Sequence, residues 1–312
     1  MKSNHLPLCP GGRLWSLCGV IALVDAVWLS LSQLTIDWLT WFIWVSIGAV
    51  CLGWYCAGYF IRLSDGPRLF TAGLAFVWIG WKLLAVFDQL SMTLALPLAD
   101  SRLAGWDQAL GFDWLSYLSW VAARPWLSTA LIWIYGALTP ASLLAFLVLH
   151  ATGRRERVSE YLALSFGSGV IVAFIGAAFP AIGAVTYHQA PEALMAAFPA
   201  DAGTQWVQRL TALRSGMPVD ISHNVGLVSF PSYHTALTMI IAWCFRDFRC
   251  LFPLCIVYAF GTAAGALIIG GHYFVDLLAG ATLVCVLVAA GKISRTLPWR
   301  PLLRYRRSVY SE

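Results

Sequence analysis

Apolar residues run through this chain in blocks of about twenty, the length a helix needs to cross a bilayer, and polar or aromatic-rich breaks separate them. The blocks fall at about 14–33, 39–61, 69–95, 126–150, 159–185, 232–247, 250–270 and 273–292. The block at 232–247 is the shortest, and Phe230 and Phe248 extend it. Trp, Tyr and Phe gather at many block ends, as aromatic belts do at membrane interfaces. The pattern predicts an all-α fold: a polytopic membrane helix bundle of about eight transmembrane helices.

Composition sharpens this reading. Hydrophobic residues make up 60% of the 312 and charged residues only 11%, against roughly 25% charged in soluble domains. A large soluble core is excluded. The first block follows Lys2 and Arg13, as in a signal peptide, but Asp25 interrupts it and no small-x-small cleavage site follows. A retained first span is expected. The cysteines (Cys9, Cys18, Cys51, Cys56, Cys244, Cys250, Cys255 and Cys285) form no CxxC and lie mostly in or beside apolar blocks. They read as buried, inert thiols.

Charge gives an orientation. One alternating set of segments carries Lys2, Arg13, Arg62, Arg68, Arg154, Arg155, Arg157, Arg246, Arg249, Lys292, Arg295, Arg300, Arg304, Arg306 and Arg307. The opposite set carries only Arg102, Arg124, Arg209 and Arg214, with Lys82 left inside a span. The positive-inside rule therefore predicts both termini in the cytoplasm, which an even number of spans also requires. Two outward segments, 96–125 and 186–231, are long and rich in Trp and Leu. Within them Trp106–Leu118 and Gln205–Leu213 are expected to be short helices lying along the interface.

The candidate chemistry sits in two phrases. Ser-Phe-Pro-Ser-Tyr-His-Thr spans 229–235, and Gly-Gly-His-Tyr-Phe-Val-Asp spans 270–276. Each opens an apolar block at the non-cytoplasmic boundary. On a helix, Asp276 lies one turn from His272 on the same face, so its carboxylate can hold one imidazole nitrogen protonated and leave the other as a nucleophile or base. His234 is the partner acid. Ser229 is a candidate cap, Pro231 suits a first helical turn, and Gly270-Gly271 allows a tight bend. Two helix N-termini, the Ser232 hydroxyl and two imidazoles suit a phosphate. Arg214 is the best-placed arginine to clamp it, ahead of Arg209 and Arg124.

Pro231-Ser232-Tyr233-His234 resembles the Pro-Ser-x-His motif of the type 2 phosphatidic acid phosphatase superfamily, and His272-x-x-x-Asp276 the end of its third motif. The resemblance implies His272 as the nucleophile that forms a phosphohistidine, Asp276 as its orienter, His234 as general acid and Ser232 as a phosphate ligand. It also implies a six-helix core over 69–293, preceded by two additional spans in 1–68 and followed by a basic cytoplasmic tail, 294–312. The first motif keeps Arg124-Pro125, but Tyr117 stands at its lysine position and Ala266 at the arginine position of the third. Those exchanges, with Gly-Trp-Asp-Gln and Gly-Phe-Asp-Trp in Leu98–Trp114, are more similar to the inositol-phosphorylceramide synthase branch. The implied substrate is a phospholipid or lipid phosphate within the bilayer, with an alcohol as a possible acceptor. No cofactor, no metal and no nucleic acid is called for.

Other readings stand beside this one. His5, His150, His188 and His223 are expected to be interface anchors or satisfied hydrogen-bonders. His234, His272 and Asp276 could instead hold zinc in a membrane hydrolase. Asp25, Lys82 and Asp88 lie inside spans, where charge is expensive. Asp25 and Lys82 suit a buried ion pair between the first and third spans, and a transporter or flippase would use such charges as a pathway.

Overall fold

The computed structural model describes residues 11–61, 64–223 and 225–296. Lys2, His5, Cys9, Arg62, Arg300, Arg304, Arg306 and Arg307 lie outside the described residues, as does most of the expected tail. The described chain is helical: α1 (Gly12–Leu31), α2 (Trp38–Phe60), α3 (Asp65–Met92), α4 (Asp100–Ala109), α5 (Trp114–Ala122), α6 (Pro125–Gly136), α7 (Leu138–Ala151), α8 (Arg155–Ala178), α9 (Ala184–Tyr187), α10 (Glu192–Met195), α11 (Val207–Arg214), α12 (Tyr233–Cys244), α13 (Leu251–Ile268) and α14 (Phe274–Thr296).

Among the described residues, six helices are long and apolar enough to cross a membrane: α1, α2, α3, α8, α13 and α14. The multi-pass helical bundle is therefore as expected, but two of the eight blocks are not straight spans. The block at 126–150 is the pair α6 and α7, bent by 53°. Pro140 is the reason. It has no N–H to give the Gly136 carbonyl one turn back, so the helix breaks there. The block at 232–247 is α12, whose 12 residues rise only about 18 Å, short of the roughly 30 Å apolar core of a bilayer.

The chain before α12 covers the remaining depth without helix, and irregular backbone there must find partners inside the protein. Helix α3 supplies them. Asp88 accepts the Leu227 N–H at 2.8 Å, Gln89 bonds the His223 carbonyl at 3.1 Å, and the Lys82 ammonium donates to the Ser222 carbonyl. The expected Asp25–Lys82 ion pair is thus replaced. Lys82 serves the 221–228 segment, and both Asp25 carboxylate oxygens are buried without a hydrogen-bond partner.

Packing follows side-chain size. Phe146 and Phe166 are seated against Gly73 and Gly80 on α3, where an added Cβ would come within 2.9 and 3.0 Å of the rings. Close approach of this kind drives helix association where lipid removes the hydrophobic incentive. The far ends of α8 and α12 meet in a polar cluster: Arg157 pairs with Asp247 and with Glu160, and Arg246 with Glu160. At the other end α4, α5, α9 and α10 form a cap packed through Leu103, Trp114, Leu118 and Val185, and beside it Trp206 and Leu210 seat α11 on α3. The Trp106–Leu118 stretch is not one helix, since Gly111, at φ +75°, turns the chain between α4 and α5. Cys18 and Cys244 are buried as expected, but Cys56, Cys250 and Cys285 are exposed because they fall on faces with no packed neighbour.

Candidate active site

His272 and His234 face one cavity of about 650 Å³ between α3, α6, α7, α8 and α12. Their ring centroids are 6.0 Å apart. His272 Nδ1 lies 3.1 Å from Asp276 Oδ2. A carboxylate only accepts, so Nδ1 is the donor to Asp276 and Nε2 is the nitrogen left for chemistry. Nε2 is 3.4 Å from the Ser232 hydroxyl. The sequence-predicted group of Ser232, His234, His272 and Asp276 is therefore brought together.

Asp276 does meet His272, but across the start of α14 and not along a helical turn as expected, because His272 lies in the bend before Phe274. Asp276 Oδ2 also accepts from Ser229 Oγ at 2.7 Å and from the Tyr273 N–H at 2.9 Å, and the residue is fully buried. This changes the expected role of Ser229. Ser232 caps α12, accepting the Thr235 N–H at 3.4 Å, which frees Ser229 to bind Asp276. Pro231 accordingly precedes the cap and lies outside the first turn. The two helix starts are joined directly. The Ser232 N–H donates to the Asp276 carbonyl at 2.9 Å, and a Cβ at Gly280 would come within 2.4 Å of the Ser232 carbonyl oxygen.

The Gly-Gly bend is needed as read. Gly271 has φ +56°, and a Cβ there would meet the Gly203 carbonyl at 2.7 Å. Its own carbonyl accepts the Ala184 N–H at 2.7 Å. His272 thus leaves a turn clamped from the cap.

Of the two helix starts expected at the site, those of α12 and α14, only one is free to meet an anion. Asp107 on α4 accepts the Phe274 and Val275 N–H groups at 2.8 Å each, which occupies the start of α14. Burial raises the Asp107 carboxyl pKa, against the two backbone N–H groups that lower it. Asp100, two turns earlier on the same face of α4, accepts the Ile182 and Gly183 N–H groups and the Tyr273 hydroxyl. The start of α12 is different, because Tyr233 and His234 have no helical partner for their N–H groups. Sequence reading did not assign Asp100, Asp107 or Tyr135. Tyr135 of α6 stacks on His234 at 4.5 Å and fixes its ring.

The basic candidates are elsewhere. Helix α11 packs Leu210 and Leu213 against Val86 and Leu90 of α3. Arg209 is thereby committed to Gln89 at 2.6 Å and the Asp220 carbonyl at 2.8 Å. Arg214, the expected phosphate clamp, ends α11 and is not among the residues lining the cavity; its Nη1 is buried without a hydrogen-bond partner. Arg124 lies over the Trp120 ring at 4.4 Å. Tyr117 donates to the Ala264 carbonyl at 2.9 Å, and the buried Ala266 accepts the His272 N–H at 3.1 Å. Among the described residues no Lys or Arg lines the cavity. His188 stacks on Trp114 at 5.6 Å and His150 lies against Phe70 at 4.9 Å, both packing roles.

Comparison with curated proteins gives no match, and comparison with solved structures gives none. The model of the PAP2 superfamily matches residues 101–290. That stretch is more than half of the chain and contains both histidines, Ser232 and Asp276, so the chain belongs to the PAP2 superfamily.

Proposed function

We propose that this protein is a multi-pass membrane enzyme that cleaves or transfers the phosphate group of a lipid through a phosphohistidine on His272. PAP2 superfamily membership points to phosphatase or phosphotransferase chemistry on a phosphorylated lipid or small molecule. The observation that carries the mechanism is the chain of contacts from Ser229 through Asp276 to His272, with His234 and Ser232 beside the free Nε2.

The Nε2 lone pair attacks phosphorus while the bond to the leaving oxygen breaks, and His234 gives that oxygen a proton. Ser232 and the first N–H groups of α12 hold the non-bridging oxygens, where developing negative charge meets a helix N-terminus. Water or an alcohol then attacks the phosphohistidine, the P–N bond breaks, and His234 takes the incoming proton. Asp276 keeps Nδ1 protonated and stabilises the charged ring. The largely apolar cavity beneath supports a lipid tail.

The motif wording in Leu98–Trp114 is what supports the inositol-phosphorylceramide synthase-like branch, and either water or an alcohol serves as acceptor. The six-helix core is 69–293 and α1–α2 its addition. The basic cluster at the far end of α8 and α12 supports cytoplasmic termini and a site on the opposite face.

The zinc reading gains no support from geometry. Among the described residues no three His, Cys, Asp or Glu side chains are grouped as metal ligands. The Ser232–His272–Asp276 contacts do favour one rival, in which Ser232 attacks and His272 is its base. Trapping with a radiolabelled lipid phosphate decides. The expected phosphoenzyme is acid-labile and alkali-stable, and label on His272 identifies it. An acid-stable, alkali-labile adduct on Ser232 would overturn the assignment.

A further inference from the structure

Asp88 takes no part in the chemistry above, yet it lines the same cavity as His234 and His272. Helix α3 presents it there with Trp81, Leu84 and Ala85. Its Oδ2 accepts the Leu227 N–H at 2.8 Å, which fixes the side chain against the segment leading to Ser229. Its Oδ1 is buried without a hydrogen-bond partner, and the residue is 7% exposed. An orphaned acceptor at that depth is costly. Bracing Leu227 needs only one oxygen, which an uncharged amide also provides. A second orphan lies on the same wall: the Trp206 Nε1–H is buried without a partner. The rest of the lining is largely aliphatic or aromatic, with Leu84, Val172, Ala173 and Leu237 among it. Such a surface takes an alkyl chain and leaves these two groups to a polar one.

We infer that Asp88 is a specificity-determining residue whose free oxygen accepts a hydrogen bond from a hydroxyl or amino group that the lipid carries near its phosphate. The inference rests on the cavity being the substrate site. The unpaired oxygen selects a hydrogen-bond donor at its own end of the cavity and leaves the phosphate oxygens to the histidine end. A bare alkyl phosphate leaves Oδ1 unpaired. A lipid with a neighbouring hydroxyl or amine satisfies it.

Three probes test this: an alkylglycerol phosphate with a free secondary hydroxyl, its amino analogue and its methyl ether. Binding to the purified full chain is read by tryptophan emission, since Trp81 and Trp206 line the cavity. The His272→Ala chain is used there so that no turnover intervenes. A donor probe should bind about tenfold more tightly than the ether, the worth of one hydrogen bond to an otherwise unpaired buried acceptor. Which donor probe wins identifies the group. Asp88→Asn keeps an oxygen for Leu227 but puts an NH₂ where Oδ1 stood. In the otherwise native enzyme it should raise KM for the donor probe about tenfold, erase the preference, and leave kcat within about threefold. Equal binding of donor and ether probes by the parent chain overturns the inference without needing any Asp88 variant. Equal weakening of all probes by Asp88→Asn also overturns it, since Asp88 then only braces Leu227. Turnover without preference sinks this inference alone, and preference without turnover sinks the phosphohistidine reading alone.

Discussion

Asp276 places three donors on one oxygen, Ser229 Oγ, the Tyr273 N–H and His272 Nδ1, and leaves its Oδ1 without a partner. That asymmetry fixes which carboxylate oxygen the imidazole sees, and therefore the tautomer. Three expectations follow from it. His272→Ala should remove all turnover and any trappable phosphoenzyme. His234→Ala removes only a proton donor, so turnover should fall about 10²–10⁴-fold and recover in part on an aryl phosphate, whose leaving group needs little protonation. Ser229→Ala should cost about 1 kcal/mol of stability and lower kcat while sparing KM, because the phosphate contacts are untouched; an unchanged kcat would make Ser229 a packing residue. The pairing of His272 with Asp276 was readable from their four-residue spacing, although His272 meets Asp276 from the turn before α14 and not from within the helix. Ser229 was not readable. Its partner is 47 positions away, and its place three residues before Ser232 resembles a cap as readily as a ligand.

Helices α4 and α14 show the same limit one level up. The apolar blocks announced the long helices, since a bilayer demands about twenty apolar residues wherever a helix crosses it. The sequence also places the segment 96–125 outside the spans, but it predicts a helix at Trp106–Leu118 and not at α4 and α5. Nothing local showed that the two buried aspartates of α4 face backbone N–H groups, because those partners are supplied by α14 and the 182–183 turn. The break between α6 and α7 was hidden for a different reason: apolar content continues through Pro140, and hydropathy does not register a missing N–H. Asp107→Asn tests the bracing. The amide retains one acceptor and sets an NH₂ against the other N–H, so the start of α14 loses a bond and gains a clash. About 1–3 kcal/mol of stability should be lost, read as a lower Tm in detergent, with reduced kcat because His272 precedes that helix start. Asp113→Asn is the control, since Asp113 caps α5 at the exposed surface and Asn caps almost as well as Asp. Equal losses from the two variants would remove the special role of Asp107.

At the scale of the whole molecule, α1 and α2 are tied to the candidate site through the turn that joins them. The α1–α2 connection pairs with the 219–222 segment: Thr35 donates to the Val219 carbonyl and accepts from Ile221, and the Asp37 N–H meets Ser222 Oγ at 2.6 Å. Arg209, Gln89 and Lys82 hold the same segment from the other side. It continues to Leu227 on Asp88 and Ser229 on Asp276. All of this lies at the histidine end of the bundle, while Arg154, Arg157 and Arg246 gather at the other with Asp247 and Glu160. Basic side chains are costly to translocate, so the second end is expected in the cytoplasm and the histidines on the opposite face. Ala200 in the cap and Thr152 at the α7–α8 turn are both exposed, which makes them fair reporters of the two ends. With the native cysteines replaced, so that exposed Cys250 beside the basic cluster gives no signal, Ala200→Cys in intact cells should react with an impermeant thiol reagent. Thr152→Cys should react only after permeabilisation. Because α8 is long and apolar enough to run from one end to the other, the two positions are expected to report opposite faces. Labelling of position 152 in intact cells would invert the molecule and place the phosphate chemistry on the cytoplasmic side.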